Sequence, residues 1–112
     1  MNAEDLVRVI GEPMRYKIFQ HLLERKHCVR SLSRKLGISE SAVSQHLKVM
    51  REAGLVYGEK YGYHTHYMPS QEAVDLLADT FGRMRQQSRR LHRQPSACQC
   101  DNKVERDSSD TP

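Results

Sequence analysis

Ser41, Ser44, Gln45 and Lys48 are the residues whose types and spacing say most about chemistry. Their 3-1-3 spacing puts them on one side of an α-helix. Val43, Leu47 and Met50, spaced four and then three apart, take the opposite side. A helix anchored by an apolar face and presenting two small hydroxyls, one amide and one cation suits the major groove of duplex DNA. Small side chains let the backbone approach, Gln can bond adenine in bidentate fashion, and Ser can serve bases or phosphates. Lys48 is better placed for a phosphate. His46 lies on the edge between the two sides, with Ala42, Val49 and Ala53. It reads equally well as a half-buried packing group or as a phosphate contact. Taken alone, such a polar face is an ordinary solvated helix surface, so its neighbours decide the reading.

Those neighbours are a short helix over Ser31–Leu36, with Leu32 and Leu36 four apart, and the connection Gly37-Ile38-Ser39. Gly37 is a natural helix stop and Ser39 a good N-cap, so the next helix runs from about Glu40 to Gly54. Two short helices joined by a tight Gly-containing turn mark a helix-turn-helix. Ser39, at the start of the reading helix, joins the candidate DNA contacts. Arg34 and Lys35, on the first helix of the pair, could touch the backbone flanking the groove.

Upstream, Asn2 caps a first helix made apolar by Leu6, Val7, Val9 and Ile10, with Glu4 and Asp5 in its first turn. Pro13 opens a second helix to about Glu24, with Tyr16, Ile18, Phe19, Leu22 and Leu23 as its buried face. Downstream, Leu55–Lys60 reads as a strand, Tyr61-Gly62 as a two-residue turn, and Tyr63–Met68 as the returning strand. This hairpin is the wing. Lys60, His64 and His66 take one phase of its alternation, and Tyr61, Tyr63, Thr65 and Tyr67 the other. Lys60, near the tip, is a phosphate or minor-groove contact, and His64 joins the DNA list. His64 and His66 could chelate a metal, but two ligands make an incomplete site.

Ser70 caps the last helix, from about Gln71 to Arg93. Val74, Leu77, Phe81, Met84, Ser88 and Leu91 repeat with a period near 3.5, the mark of a helix-helix seam. The seam is long for so small a domain, so it predicts a homodimer with the first helix assisting. Packing within one chain is the alternative. A two-fold dimer places two reading helices on successive major grooves, which predicts a palindromic operator. Arg83, Arg85, Arg89, Arg90 and Arg93 stud the helix with no acid between them. They read as a solvated basic face or as neighbours of DNA phosphates.

The fold class is therefore mainly α with a small β-hairpin, a homodimeric winged helix-turn-helix. Residues 1–94 form the DNA-binding and dimerisation domain, and residues 95–112 a flexible polar tail. At 112 residues, with 38% hydrophobic residues, no Trp and two Phe, a monomer can bury only a thin core. The net charge of +4 suits nucleic acid without proving it. No apolar run nears the ~20 residues of a membrane span, and the first ten residues lack the marks of a signal peptide, so a cytoplasmic protein is expected. The chain offers no nucleophile–base constellation, Gly-rich phosphate loop or acid pair, which argues against an enzyme. Cys28, Cys98 and Cys100 are odd in number, a poor disulfide framework, and as thiols are open to a metal or an oxidant.

The stretches "GEPMRYKIFQHL", "SLSRKLGISESAVSQHLKVMREAGLV" and "GEKYGYHTHY" together resemble the ArsR/SmtB family of metal-responsive winged-helix repressors. The resemblance covers roughly residues 4–92. It implies a homodimer that binds double-stranded operator DNA and lets go when a ligand arrives. The family's arsenic sensors carry a Cys-Val-Cys pair where this chain reads "HCVRSLS". Cys28 matches the first thiol, Arg30 replaces the second, and Ser33 stands where another can occur. Zinc and cobalt sensors of the family use Asp and His on the last helix, and Asp75, Asp79 and His92 lack their spacing. Other members bind thiophilic ions through cysteines near the end of that helix. By that likeness Cys98 and Cys100, with His92 or Cys28 from a partner chain, would hold As(III), Cd(II), Pb(II) or Cu(I). The same pair could instead be a redox switch. Two other readings stay open, a winged-helix DNA-binding regulator that senses no metal and a winged helix used only for protein contacts.

Overall fold

The computed structural model describes residues 1–94. Its elements run α1 (Ala3–Ile10), α2 (Pro13–Glu24), α3 (Val29–Leu36), α4 (Glu40–Glu52), β1 (Val56–Tyr61), β2 (His64–Pro69) and α5 (Gln71–Arg93). Local chemistry sets most of the boundaries. The side chains of Asn2, Ser39 and Ser70 accept hydrogen bonds from the amides of Asp5, Ala42 and Ala73 at 2.9, 3.1 and 3.3 Å, capping α1, α4 and α5. Glu12 does the same for α2, accepting from the Arg15 amide at 2.8 Å, with Pro13 in the first turn.

One core joins the helices. Leu6 and Val9 of α1, Ile18, Phe19 and Leu22 of α2, Leu32 of α3, and Val43, Leu47 and Met50 of α4 are all buried. Leu55, Val56, Ala73 and Leu77 complete it. Two expected members of the α2 face are solvent-facing, Tyr16 and Leu23. They lie seven residues apart, on an edge of the helix about 100° from the mean direction of Ile18, Phe19 and Leu22, so the apolar face is wider than the strip the core covers. Val7 of α1 is likewise exposed.

Three boundaries differ from expectation. Helix α3 starts at Val29 instead of Ser31 because Cys28 takes the N-cap position in extended backbone. Helix α4 ends at Glu52, and Gly54 follows in the left-handed region at φ 83°. The hairpin turn is Gly62-Tyr63, not Tyr61-Gly62, so both strands sit one residue later than expected. Gly62, at φ 65°, supplies the left-handed residue that the turn needs.

The wing is antiparallel, pairing Tyr61 with His64, Lys60 with Thr65 and Glu59 with His66. A two-residue turn thus pairs odd positions with even ones. Lys60 shares its face with Thr65 and Tyr67, while His64 and His66 share theirs with Glu59 and Tyr61. The expected common phase of Lys60, His64 and His66 is corrected accordingly. The Lys60 face also carries Gly58, where a Cβ would come within 2.7 Å of the Thr65 methyl and 3.1 Å of the Tyr67 ring.

His27 extends the wing sideways. Its amide bonds the Tyr67 carbonyl at 3.4 Å and its carbonyl accepts from the Tyr67 amide at 2.8 Å, an isolated bridge on β2. The ring is buried, with Nδ1 2.7 Å from Ser31 Oγ. Burial pushes its pKa below the ordinary histidine value, helped by the charges of Arg25, His21 and Lys35 and opposed by Glu24. No described helix is long and apolar enough to cross a membrane.

Candidate nucleic-acid interface

The turn between α3 and α4 is held from both ends. Gly37, at φ 69°, closes α3 through its amide on Ser33 O at 2.9 Å. Ser33 Oγ then donates to Ile38 O at 2.6 Å, tying α3 to the residue before the α4 cap. In the sequence Ser33 stands only where another thiol can occur. Its role in the turn is a side-chain to backbone bond between residues five apart, which no hydrophobic period reports.

Helix α4 presents the two sides that its spacing predicts. Val43, Leu47 and Met50 are 0–1% exposed, whereas Ser41, Ser44, Gln45 and Lys48 face solvent. Ser39 is exposed too, but its hydroxyl already accepts from the Ala42 amide and lies 3.3 Å from Ser41 Oγ. Its O–H, shared at most with Ser41, can still donate to a phosphate. His46 is half-buried on the edge, its Nδ1 4.0 Å from Glu12 Oε1, so it faces the start of α2 more than the open ridge.

Lys60 and His64 are exposed beside the wing tip on opposite faces of the hairpin, and Tyr63 projects fully into solvent. Between the wing and the starts of α3 and α4 runs an open groove of about 470 Å³. Half-exposed Cys28, Arg30 and Glu40 line it from the helices, and Tyr63, His64 and Thr65 from the wing. Arg34 and Lys35 are exposed on α3. The ridge, wing and basic residues offer hydrogen-bond donors and cations to a polyanion.

Among the described residues no three His, Cys, Asp or Glu side chains gather closely enough to hold a metal ion. Cys28 thus belongs to no such group there, and Cys98 and Cys100 lie outside the described residues. The last-helix seam divides. Leu77 is buried and Val74 half-buried within the chain's own core, while Phe81, Met84 and Leu91 are 50%, 51% and 64% exposed.

A tight helix-turn-helix followed by a two-stranded hairpin and a closing helix defines a winged helix-turn-helix protein. Residues 12–57 match the family described as "Bacterial regulatory protein, arsR family". The chain is 33% identical over 87 residues to the putative arsenical resistance operon repressor ArsR2 of Halobacterium salinarum, covering 74% of this chain and 72% of that protein. It is 38% identical over 65 residues to the transcriptional repressor SmtB of Mycobacterium tuberculosis, but this covers 58% of the chain and only 48% of SmtB. The chain therefore spans about half the length of that relative. Among solved structures, a possible transcriptional regulator for arsenical resistance superposes with a TM-score of 0.66 at 34% identity, over 71% of this chain and 83% of that one. HlyU from Vibrio cholerae superposes with a TM-score of 0.62 at 32% identity, over 82% and 92%. This chain belongs to the arsR family of bacterial regulatory proteins.

Proposed function

We propose that the protein is a DNA-binding transcriptional repressor that engages a palindromic operator as a homodimer and is released by a thiophilic metal or metalloid ion or by an oxidant. The observation that carries the DNA reading is the division of α4, with Val43, Leu47 and Met50 sealed in the core and Ser41, Ser44, Gln45 and Lys48 left open. Ser39, His46, Lys60 and His64 complete the proposed contact set. Family membership and the repressor names of SmtB and ArsR2 support the same reading.

Gln45 and Lys48 lose different things when truncated. Gln45→Ala should cost about 1–3 kcal/mol on the preferred operator and relax the preference among operator variants. Lys48→Ala should weaken all duplexes alike and lower the slope of log affinity against log salt by about 1. Fluorescence anisotropy with operator variants across a salt series separates the two. Unchanged affinity, preference and slope in both variants would assign the winged helix to protein contacts instead.

The ligand reading rests on the soft thiols of Cys98 and Cys100 and on the names of the two relatives. Titrating the reduced protein on operator DNA with As(III), Cd(II), Pb(II), Cu(I) and peroxide should reveal at least one agent that releases it. The effect should be a coupling of about 1–3 kcal/mol, roughly 5- to 150-fold in affinity. Cys98→Ser with Cys100→Ser should stay bound under the same agent. Release of that double variant would move the site elsewhere. No release of the natural chain by any agent would favour a regulator that senses no metal.

A further inference from the structure

Tyr61 ends β1 at the wing tip, and its side chain is tied to two other segments. Its ring lies 4.8 Å from the His66 ring, centroid to centroid, at an interplanar angle of 31°. Lys26, in the connection between α2 and α3, sits with Nζ 5.5 Å from the Tyr61 ring centroid. Lys26 Nζ also donates to Tyr61 Oη at 3.5 Å, and Tyr61 Oη donates to Glu59 Oε1 at 3.0 Å. His66 lines one groove with Lys26, and its neighbour Tyr67 pairs with His27, the residue after Lys26. The row Tyr61–His66–Lys26 thus crosses β2 on the face of the hairpin away from Gly58, Thr65 and Tyr67.

A two-stranded wing needs such a brace. A lone hairpin is marginally stable in water, and this one meets the core through Val56 and Tyr67, at the end far from the turn. Past that point, the row is what joins the tip to the helical body in the bonds described above. Each contact is partly exposed and individually weak, but all four converge on one side chain.

We propose that Tyr61 is a positioning residue for DNA binding: stacked on His66 across the hairpin and held by Lys26 of the helical body, it sets the height and angle at which Lys60 meets the duplex. This rests on the reading of Lys60 as a wing contact to DNA. Tyr61 and Lys60 project from opposite faces of the hairpin, so neither needs to touch the other for them to be coupled.

The test is a double-mutant cycle on operator affinity in the full chain, with Lys60→Ala, Tyr61→Ala and the pair. In the natural background Lys60→Ala should weaken binding about 5-fold. Beside Tyr61→Ala the same change should cost less than about 2-fold, since an unbraced wing no longer delivers the lysine. Tyr61→Phe keeps the ring over His66 and beneath Lys26 while losing both hydroxyl bonds, so it should retain at least half of the coupling. Circular dichroism and thermal unfolding confirm that each variant is folded. A Lys60→Ala penalty that is undiminished beside Tyr61→Ala overturns the brace while leaving the wing contact standing. A Lys60→Ala change that is silent in the natural chain overturns both.

Discussion

A chain carrying Phe81→Asp and Met84→Asp should run as a monomer of 13.0 kDa while keeping its fold. Both side chains are about half exposed and neither belongs to the core cluster, so their loss should leave the helical content and unfolding midpoint of the protomer nearly unchanged. Their surroundings support the proposed dimer seam. Helix α5 is 23 residues long, yet its last buried residue is Leu77. From Phe81 to Arg93 every residue is exposed, although Phe81, Met84 and Leu91 continue the apolar line begun by Val74 and Leu77. An apolar stripe that outruns its own body fits a second copy, which buries the same patch of its mate by symmetry.

The effect on DNA should be larger than the effect on assembly suggests. Central apolar residues of an interface each carry about 2 kcal/mol or more, and a carboxylate put in their place adds a desolvation cost. Two such changes in each protomer, four across a symmetric interface, raise the dimer dissociation constant by roughly 1,000-fold or more. Each protomer then meets its half-site alone and forfeits the local concentration that its mate provides, a loss of about 100-fold or more on a two-half-site operator. Affinity for a single half-site should stay within about 2-fold, because α4 and the wing are untouched. Light scattering and anisotropy on whole and half operators check this. A dimeric double variant with natural operator affinity would remove the seam from α5.

The parts of this fold that were legible in the sequence are those decided within a few residues. Asn2, Ser39 and Ser70 announce helix starts because a side-chain oxygen reaches an amide three residues on, and Gly37 announces a stop because only glycine takes a left-handed conformation cheaply. The two sides of α4 follow from helical period alone. The hairpin turn resisted because Tyr61-Gly62 and Gly62-Tyr63 are equally good dipeptides, and which one turns depends on how Val56 and Tyr67 seat on the core. The seam of α5 was legible as a period but not as a partner, since a 3.5 repeat does not tell Leu77, which faces its own core, from Met84, which does not. The contacts of Tyr61 with Lys26, 35 residues away, and of His46 with Glu12 bring distant segments together and leave no periodic trace.

Leu47 and Lys48 are neighbours in α4, and replacing each by Ala should separate stability from DNA binding. Leu47 is 1% exposed and sits where α4 meets the core built from α2, α3 and β1. Removing its isobutyl group should cost about 2–5 kcal/mol, partly lost transfer energy and partly the cavity left behind. A small domain has little in reserve, with total stabilities of roughly 5–15 kcal/mol and the smallest domains the most marginal. Urea unfolding at fixed protomer concentration should therefore show a much lower midpoint with an unchanged slope. Lys48 points about 100° away around the helix and is exposed, so Lys48→Ala should move stability by no more than about 0.5 kcal/mol. Its affinity for every duplex should nevertheless fall. The opposite pattern, a stable Leu47→Ala chain and a destabilised Lys48→Ala chain, would mean that α4 sits rolled by half a turn, with its hydroxyls and amide turned inward and nothing left outside to read a base.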